Sequence, residues 1–535
     1  MDGEGWAMAG KRQLCIVGGG PAGIGLLWTL AQDPELCSEW SVTVLHDQSF
    51  LGGHCATYPI DNPATGRTVP VDIGVQCISP LANPNVSQML RSGDFPSAAP
   101  VVDAPPLTVG CAFPPRDGQP MNWGNFPAYQ TGPTFELWSE TGMAADCAEL
   151  QTFIAISPAV GYAGKTLAYY FANNPTMPYT NQQDFIDYFV DPFMTVINGY
   201  GAPDLSTILL GDLLPIFGRV PGFDGPLASW SVPGVGWQRF QNGASSWVQA
   251  MFEIASRTID VTVSYDNPAT AVWLDPDDAA GQVFVATDAD PSGIAYDKVV
   301  LAVDMWTNAK LLDCAQNQQY WSSIYEGPLT NSDWQQLQPG TCYIHADQNV
   351  LAPDLRGLQQ ELAQFTAYYA TQQQPYDADT TYTTYLVQNV RGGDPAAANL
   401  YVTMYGPEQG SVVPQNPFQT EQFVHGMWLP SYMLGAKQAL HTAQGVGTLT
   451  NVTNAGTNLY FAGNNTTFDS VEGGLVSGMA IANYAFGAPY PIAPGTLTPV
   501  AFAMFLYLYL GVMFPQDEAT AAVTVADLKK AAFAT

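Results

Sequence analysis

The sequence is poor in charged residues, and above all in basic ones. Only 12% of its 535 residues are charged, and 16 lysines and arginines stand against 47 acidic residues, which gives a formal net charge of −31. A surface with this excess of negative charge repels nucleic acids and anionic membranes, so the composition argues against a nucleic-acid-binding protein. It also makes each arginine inside the fold notable, because an anionic substrate would need one.

Cysteine and histidine are scarce as well. The chain has 8 cysteines and 5 histidines, and no two cysteines have the CxxC spacing that is typical of a zinc site. We therefore expect neither a metal site nor a disulfide framework, and we expect most cysteines to be small buried apolar residues.

The chain also lacks long apolar runs. The N-terminal stretch MDGEGWAMAGKRQL has no apolar core of the kind found in secretory signals, which favours a cytoplasmic protein. The most apolar segment, residues 499–514, is shorter than the roughly 20 residues that span a bilayer. We expect a buried helix there, and we treat peripheral contact with a membrane as the less favoured alternative.

What the sequence does contain begins with the stretch CIVGGGPAGIG. An apolar strand, a glycine turn that matches GxGxxG and a helix follow one another, as in a βαβ unit that binds a dinucleotide. In such a unit Gly18 permits the tight turn, Gly20 lets the backbone approach a pyrophosphate, and Gly23 lets the helix pack close to the strand. Pro21 and Ala22 open the helix within the same turn.

The second strand of this unit ends in an unusual way. An acidic residue at this place ordinarily binds the ribose hydroxyls of the dinucleotide. Here His46 occupies the place, and Asp47 follows one residue later. Because an imidazole can also hydrogen-bond a hydroxyl, we place His46 at the ribose and keep Asp47 as the alternative.

Three further glycine-containing motifs follow along the chain. LGGH comes just after the second strand, and VDIG begins at Val71. Near the C-terminus a strand-like run ends in YFAGN, and a helix-like stretch with the sequence EGG at its start comes after it. A strand that ends in glycine before a helix is a place where backbone amides can point at a cofactor, although tight packing of helix on sheet explains the same pattern.

The order of strands and helices predicts an α/β protein with a discontinuous nucleotide-binding domain. The N-terminal βαβ unit has too few strands, and runs near 259–303 and 458–487 can complete its sheet. We also predict helices within 182–218 and 355–371, and two strands around a Gly-Gly turn within 381–404. The predicted domains are a nucleotide-binding domain (10–80, 235–310 and 455–490), a substrate domain (81–234 and 311–454) and an apolar helical extension (491–535).

Taken in this order, the four motifs resemble those of the FAD-containing amine oxidoreductase superfamily, which has the glutathione-reductase-like fold. The resemblance covers residues 13–80, roughly 235–310 and 455–487. It implies a discontinuous Rossmann-like FAD-binding domain with an interleaved α+β substrate domain. It also implies contacts with FAD, namely Gly18, Gly20 and Gly23 at the pyrophosphate with Pro21 and Ala22 in the same turn, Gly52, Gly53 and His54 at the flavin and phosphates, Val272 on the adenine side, and Gly463, Asn464, Glu472, Gly473 and Gly474 near the ribityl chain and isoalloxazine ring.

A narrower resemblance concerns the substrate. The stretch IHAD at residues 344–347, with VLAP after it, looks like the HtD…LP segment of superfamily members that act on lipids and polyenes. Within this group the chain most resembles the flavin-dependent polyunsaturated fatty acid double-bond isomerases. That resemblance implies transfer of a hydride from a bis-allylic carbon to flavin N5 and its return to another carbon, with His345 and Asp347 as catalytic candidates. A capped turn without a catalytic role explains the same two residues.

An isomerase of this kind needs a dry apolar channel and an arginine for the carboxylate of its apolar substrate. We favour Arg91 among the candidates, which are Arg67, Arg91, Arg116, Arg219 and Arg239. The alternatives are an amine or amino-acid oxidase that uses O₂, a lipid or polyene desaturase, and a flavin-binding protein without turnover. The oxidase is less favoured because no lysine lies in a motif that matches the lysine often found near flavin N5 in the superfamily. The sequence leaves open the exact substrate, the regiochemistry and whether the protein forms a homodimer.

Overall fold

Two β-sheets organise the part of the chain that the structure describes. The computed structural model describes residues 10–78, 83–91, 101–103, 109–112, 123–124, 146, 149–150, 152–154, 165–175, 182–190, 205, 210, 238–274, 281–317, 340–350, 364–368, 381–405, 413–423, 458–463 and 470–492. Within these ranges no helix combines the length and the apolarity that a crossing of the bilayer requires.

Strands and helices are interspersed in these residues, as in an α/β protein. The strands are β1 (Arg12–Val17), β2 (Trp40–Leu45), β3 (Thr57–Asn62), β4 (Arg67–Asp72), β5 (Val101–Asp103), β6 (Val109–Ala112), β7 (Trp123–Gly124), β8 (Gln238–Phe240), β9 (Asp260–Ser264), β10 (Ala269–Leu274), β11 (Val283–Thr287), β12 (Ile294–Tyr296), β13 (Lys298–Leu301), β14 (Gly340–His345), β15 (Gln364–Tyr368), β16 (Thr381–Leu386), β17 (Tyr401–Tyr405), β18 (Gln419–Phe423) and β19 (Leu459–Phe461). The helices are α1 (Pro21–Leu30), α2 (Pro34–Glu39), α3 (Pro84–Arg91), α4 (Leu167–Asn173), α5 (Gln182–Phe185), α6 (Ser245–Ala255), α7 (Met305–Leu312), α8 (Val387–Val390) and α9 (Val471–Phe486).

The first sheet is parallel, and its strands come from three distant parts of the chain. Its order is β19–β13–β1–β2–β9, and every neighbouring pair runs parallel. The prediction that later strands complete the sheet of the N-terminal unit is therefore confirmed, and so is the α/β fold class. Because the strands are parallel, the glycine turn after β1 and His46 after β2 lie at the same carboxyl edge of the sheet.

Helices α1 and α9 pack closely on one another because glycines line their contact. A Cβ atom on Gly478 would lie 2.1 Å from the carbonyl oxygen of Ala22, and one on Gly25 would lie 2.9 Å from Cδ1 of Leu475. Close-packed interiors cannot absorb overlaps of this size without moving the backbone. The contact thereby fixes α9 against the helix that follows the glycine turn.

The second sheet is mixed and has seven strands within the described residues. Its order is β18–β14–β17–β16–β15–β6–β7, with β15 and β6 parallel and the other pairs antiparallel. The β3–β4 hairpin packs on this sheet, since Val69 and Val71 share one buried apolar cluster with Ile344 and Val402. This cluster connects the N-terminal unit to the second sheet.

The structure corrects one predicted helix. Residues 364–368 form strand β15, hydrogen-bonded to β16 on one side and to β6 on the other, where the sequence pattern predicted the end of a helix. The segment QFTAY is rich in aromatic and β-branched residues, and pairing on both edges outweighs its helix-like spacing. The two strands around Gly392 and Gly393 are confirmed as β16 and β17. Asn464 and the extension beyond residue 492 lie outside the described residues.

Candidate dinucleotide site

The glycine turn connects the carboxyl end of β1 to the first turn of α1. Gly18 has a φ of 115°, and its amide donates to the Leu45 carbonyl oxygen at 2.9 Å, which ties the turn to the end of β2. A Cβ atom on Gly18 would lie 2.3 Å from the Ala302 carbonyl oxygen, and one on Gly23 would lie 2.0 Å from that of Gly18. Only glycine fits at these two positions, one for the turn and one for the contact between helix and strand.

Gly20 differs from these two glycines because a side chain would fit there. A Cβ atom would meet nothing closer than 3.6 Å, the Cα of Gly53, and its φ of −86° suits any residue. On the opposite side, Gly53 has a φ of 54° and Gly52 brings its carbonyl oxygen to 3.7 Å from the same point. The backbones of Gly20, Gly52 and Gly53 thus face one another with no side chain between them, and we call these three residues the backbone cradle.

The N-terminus of α1 opens beside the backbone cradle and has no side-chain cap. Gly20 is the N-cap residue and Pro21 begins the helix, but no side chain accepts a hydrogen bond from the first turn. The amides of Ala22 and Gly23 lie in that turn, where an α-helix offers no internal acceptor. An uncapped N-terminus with its partial positive charge is suited to bind a phosphate group.

His46 uses both of its ring nitrogens within the chain. Nδ1 accepts from the Gly19 amide at 3.3 Å, so Nε2 carries the proton and donates to the Phe50 carbonyl oxygen at 2.9 Å. The side chain is buried, and burial lowers its pKa although the nearby Asp47 acts in the opposite direction. His46 therefore fastens the glycine turn to the segment after β2. The side chain of Asp47 is 69% exposed at the same edge.

His54 and Val272 make contacts of other kinds. The His54 ring packs edge-on against Phe423 of β18, with 4.9 Å between the ring centroids, so it lies between the cradle and the second sheet. Val272 is fully buried in β10, and its carbonyl oxygen accepts from Nδ2 of Asn317 at 2.6 Å. That carbonyl group is thus engaged inside the protein, on the side where the sequence predicted a contact with adenine.

The second glycine-rich helix, α9, has the amides of Gly473 and Gly474 engaged. Ser470 is the N-cap, and its Oγ accepts from the Gly473 amide at 2.9 Å while its carbonyl oxygen accepts from the Gly474 amide at the same distance. The Gly463 amide donates to Oγ of Ser477 at 2.7 Å. These predicted cofactor contacts therefore carry internal hydrogen bonds that hold α9 in place.

Glu472 joins α9 to α3. Its side chain is fully buried, and Oε1 accepts from the backbone amide of Asn85 at 2.8 Å and from the side-chain amide of Asn85 at 2.6 Å. Oε2 accepts from the Val86 amide at 3.0 Å, so the carboxylate caps the first turn of α3. Burial raises the pKa of Glu472 to about 7, against the effect of these hydrogen bonds. Both carboxylate oxygens thus have partners in the chain, where the sequence predicted a contact with the cofactor.

Sequence reasoning missed a capping network that holds α6 beside the cradle. Oδ1 of Asp72 accepts from Oγ1 of Thr57 at 2.6 Å and from the Ala244 amide at 2.8 Å, and Thr57 in turn accepts from the Ser245 amide at 3.0 Å. Burial raises the pKa of Asp72 to about 6. A Cβ atom on Gly52 would lie 3.4 Å from Cβ of Ser245, so the network sets the position of α6 against the cradle. The signal in the sequence was the aspartate of VDIG, whose partners lie far along the chain.

His345 and Asp347 are bonded within the second sheet and its following turn. His345 is fully buried, its Nδ1 accepts from the Asp347 amide at 3.1 Å, and its Nε2 donates to Oγ1 of Thr403 at 2.7 Å. Burial lowers the pKa of His345 to about 4. The Asp347 carboxylate accepts from the amides of Asn349 at 2.9 Å and Gln415 at 3.0 Å. These contacts favour the capped turn over a catalytic pair.

The candidate arginines differ in their surroundings. Arg91 ends α3, and its side chain lies outside the described part of the structure, as do Arg116 and Arg219. Arg67 is exposed on β4. Arg239 on β8 is partly buried, and its Nε and one terminal nitrogen are shielded from solvent without a hydrogen-bond partner. Among the candidates that the structure describes, Arg239 is the one with unused donors in the interior.

Comparison with known sequences agrees with the N-terminal fold. The family described as the NAD(P)-binding Rossmann-like domain matches residues 16–92, which contain the glycine turn and the rest of the cradle. No curated protein sequence matches the chain.

Solved structures resemble the chain over most of its length. A protein provisionally assigned as a protoporphyrinogen oxidase, from Exiguobacterium sp. 255-15, has a TM-score of 0.53 and 13% identity, covering 90% of this chain and 99% of its own. Wild-type putrescine oxidase bound to putrescine has a TM-score of 0.50 and 15% identity, with 89% and 99% covered. Cyclohexylamine oxidase from Brevibacterium oxydans IH-35A has a TM-score of 0.50 and 13% identity, with 88% and 98% covered. At these identities the likeness shows a shared fold.

Proposed function

We propose that this protein is a flavin-dependent oxidoreductase that binds FAD at the carboxyl edge of the first sheet. The observation that carries the proposal is the backbone cradle of Gly20, Gly52 and Gly53 at the uncapped N-terminus of α1. A pyrophosphate would be suited to this place because bare backbone borders the helix N-terminus, which favours negative charge. The exposed carboxylate of Asp47 at the end of β2 is suited to the hydroxyls of the adenosine ribose.

FAD is favoured over NAD(P) by features beyond the glycine turn. The order of the four glycine motifs resembles that of FAD-containing amine oxidoreductases, and the fold likeness to two amine oxidases extends over most of the chain. His54 follows the cradle directly and contacts Phe423 of the second sheet. A long cofactor that runs from the cradle past His54 would therefore reach the substrate domain.

Bound in this way, FAD would supply a group that accepts and returns a hydride. The chain itself would hold the phosphates, orient the ribose and exclude water from the reacting carbon. The buried apolar cluster that includes Val71 of β4 and Ile344 of β14 also contains Phe423, whose ring His54 contacts. The side of the proposed cofactor site at His54 is therefore apolar, as an apolar substrate requires. We infer that the substrate is a polyunsaturated fatty acid whose double bond is shifted, and the resemblance to double-bond isomerases supports this choice.

Amine oxidation by O₂ is the second candidate, and the fold likeness to putrescine oxidase and cyclohexylamine oxidase favours it. The described lysines give it little support. Lys298 begins β13 at the edge opposite to the glycine turn, and its ammonium group donates to the Tyr460 hydroxyl at 3.0 Å and to the Ala485 carbonyl oxygen at 2.8 Å. Burial lowers the pKa of Lys298 to about 8, but its place in the sheet separates it from the cradle.

The cofactor is tested on the protein as purified. We expect a yellow protein with a flavin absorbance spectrum and one FAD for each chain after extraction. A colourless protein that binds NAD(P)H in a titration, and takes up no FAD when FAD is added, would overturn the cofactor assignment and the reaction with it.

The reaction is tested with a panel of polyunsaturated fatty acids, putrescine and cyclohexylamine. Ultraviolet absorbance, O₂ and peroxide are followed together in the same samples. A conjugated diene without O₂ consumption supports the isomerase, whereas peroxide formed with an amine supports the oxidase. A yellow protein that gives neither signal refutes both reactions while leaving the FAD site intact.

A further inference from the structure

Arg239 keeps unused hydrogen-bond donors in the interior of the protein. It lies on β8, which pairs with β5, while the neighbouring Gln238 bridges to Ile78. Its Nε and one terminal nitrogen are shielded from solvent and meet no acceptor, and no carboxylate of the described residues forms an ion pair with it. A shielded guanidinium without a partner costs free energy, and a ligand that accepts hydrogen bonds from it would remove that cost.

The neighbouring arginine, Arg391, is already bonded. Its two terminal nitrogens donate to the carbonyl oxygens of Pro70 at 3.1 Å and Gln241 at 3.0 Å, and its Nε lies 3.6 Å from a carboxylate oxygen of Asp394. Burial and then the charge of Arg391 lower the pKa of Arg239. Arg391 therefore adds positive charge at the site, whereas Arg239 supplies the free donors.

The acidic residues nearby, Asp72 and Asp394, make no hydrogen bond with the shielded nitrogens of Arg239. Asp72 directs Oδ1 to Thr57 and to the N-terminus of α6, as described above. Asp394 pairs with Arg391 and accepts from the backbone amide of residue 396 at 2.9 Å. Each carboxylate thus has a structural partner, and the shielded nitrogens of Arg239 have no hydrogen bond with any acceptor of the described residues.

Arg239 lies close to the elements that border the proposed cofactor site. On one side lies Asp72, which holds α6 against the cradle. On another, a terminal nitrogen of Arg239 lies 3.9 Å from the point where a Cβ atom of Gly392 would be, in the turn between β16 and β17. Phe240, the next residue, is buried and stacks on Trp247 with 5.9 Å between the ring centroids. Arg239 therefore lies between the turn that follows β16 and the elements that hold α6 beside the proposed cofactor site.

We propose that Arg239 binds the carboxylate of the substrate, with the charge of Arg391 in support. The inference rests on the proposed function, because it takes the occupant to be a long apolar acid. The planar fork of a guanidinium matches a carboxylate with two parallel hydrogen bonds. A phosphate of the cofactor offers the same chemistry, so the test must separate the two sources. The assignment moves the carboxylate contact from Arg91, which its sequence position favoured, to Arg239.

The test is equilibrium dialysis of the full-length protein, as purified, with linoleate and with linoleyl alcohol. Arg239→Gln and Arg239→Lys are compared with Arg67→Gln, which removes an exposed arginine of β4. We expect the unsubstituted protein to prefer the acid. Arg239→Gln should weaken the binding of linoleate roughly tenfold to a hundredfold, as loss of a hydrogen bond to a charged group does. It should leave the affinity for linoleyl alcohol unchanged. Arg239→Lys should keep part of the preference, and Arg67→Gln all of it.

Several results would overturn the assignment. These are equal affinities for acid and alcohol in the unsubstituted protein, an unchanged preference in Arg239→Gln, and loss of FAD from Arg239→Gln with the preference intact, which would indicate a cofactor phosphate. If Arg239→Gln does not fold, Arg239→Lys decides, since it keeps the charge and loses the fork. The binding ratio needs no turnover, so an inactive protein that still discriminates through Arg239 refutes the proposed reaction and supports this site.

Discussion

Two units of this chain have the same sequence pattern of strand, glycine and helix, and their glycines do different things. In the first unit β1 leads through Gly18 into α1, whose N-terminus is uncapped and faces the cradle. In the second unit β19 leads through Gly463 into α9, whose N-terminus is capped by Ser470. The Gly463 amide is bonded to Ser477, so side chains of the second unit itself accept from two of its glycine amides, those of Gly463 and Gly473.

A glycine suited to bind an anion differs from a packing glycine in its surroundings. An anion site needs backbone amides without internal partners and space in front of them. A high glycine content alone provides neither. The glycines of α9 bring that helix onto α1, where Gly478 touches the backbone of Ala22. On the proposed function, the first unit binds the cofactor, and the second unit positions α1 of the first unit by packing against it.

Gly478→Ala gives the largest expected effect. The added Cβ atom would lie 2.1 Å from the Ala22 carbonyl oxygen and 2.8 Å from the Leu26 amide nitrogen, so α9 would have to move away from α1. Overpacking costs about 1–3 kcal/mol, and we expect the upper end of that range because both atoms belong to the backbone. Urea unfolding measures the change. Gly10→Ala, with no atom within 4 Å of the new Cβ, is the control, and equal stability of the two variants would contradict the packing role.

Glu472, which lies in α9 of the second unit, should make the stability of the protein depend on pH. Because its pKa in the folded protein is raised from 4.5 to about 7, the folded chain binds this proton more readily than the unfolded chain. The contribution of Glu472 to the free energy of unfolding should therefore be largest below about pH 4.5, fall by about 3 kcal/mol as the pH rises to about 7, and level off above it. Glu472→Gln should flatten this part of the profile.

Urea unfolding across this pH range provides the measurement for Glu472. Glu253→Gln is the control, because within the described residues the Glu253 side chain is bonded only to Gln249, and it should leave the slope as it is. An unchanged slope in Glu472→Gln, or a loss of FAD at pH 8 without a loss of stability, would assign Glu472 to the cofactor instead.

Gly20→Ala should weaken cofactor binding without lowering stability, whereas Gly478→Ala should lower stability. The nearest atom to the new Cβ is 3.6 Å away and the backbone has a φ of −86°, so the apoprotein should be as stable as before or slightly more stable. The methyl group would stand in the cradle, and we expect FAD to bind at least about tenfold more weakly, or about 1.4 kcal/mol. Titration of the apoprotein with FAD, beside urea unfolding, tests both parts. A destabilised variant with normal FAD affinity would remove the distinction between the two units.

The sequence predicted the parts of the fold that depend on local sterics. The turn at Gly18 and the close contact at Gly23 follow from spacing, and the period of apolar residues predicted the strands of the first sheet. The role of Glu472 could not be predicted, because its partner Asn85 lies 387 positions away and nothing local indicates the pairing. The strand at 364–368 was missed for a related reason, since its partners β6 and β16 are supplied by the tertiary fold.

Asp47→Asn has the smallest expected effect and decides how the unusual end of β2 works. His46 would have to give up the Gly19 amide or the Phe50 carbonyl oxygen to reach a ribose, whereas Asp47 is exposed and has a free carboxylate oxygen for it. Loss of the charge at Asp47 should weaken the binding of FAD by about 1 kcal/mol without changing the stability of the apoprotein. Asp266→Asn, which removes the other acid that acts on His46, is the matched control and should leave FAD affinity unchanged. If Asp47→Asn binds FAD normally, the ribose belongs to His46, and the glycine turn must then loosen when the cofactor binds.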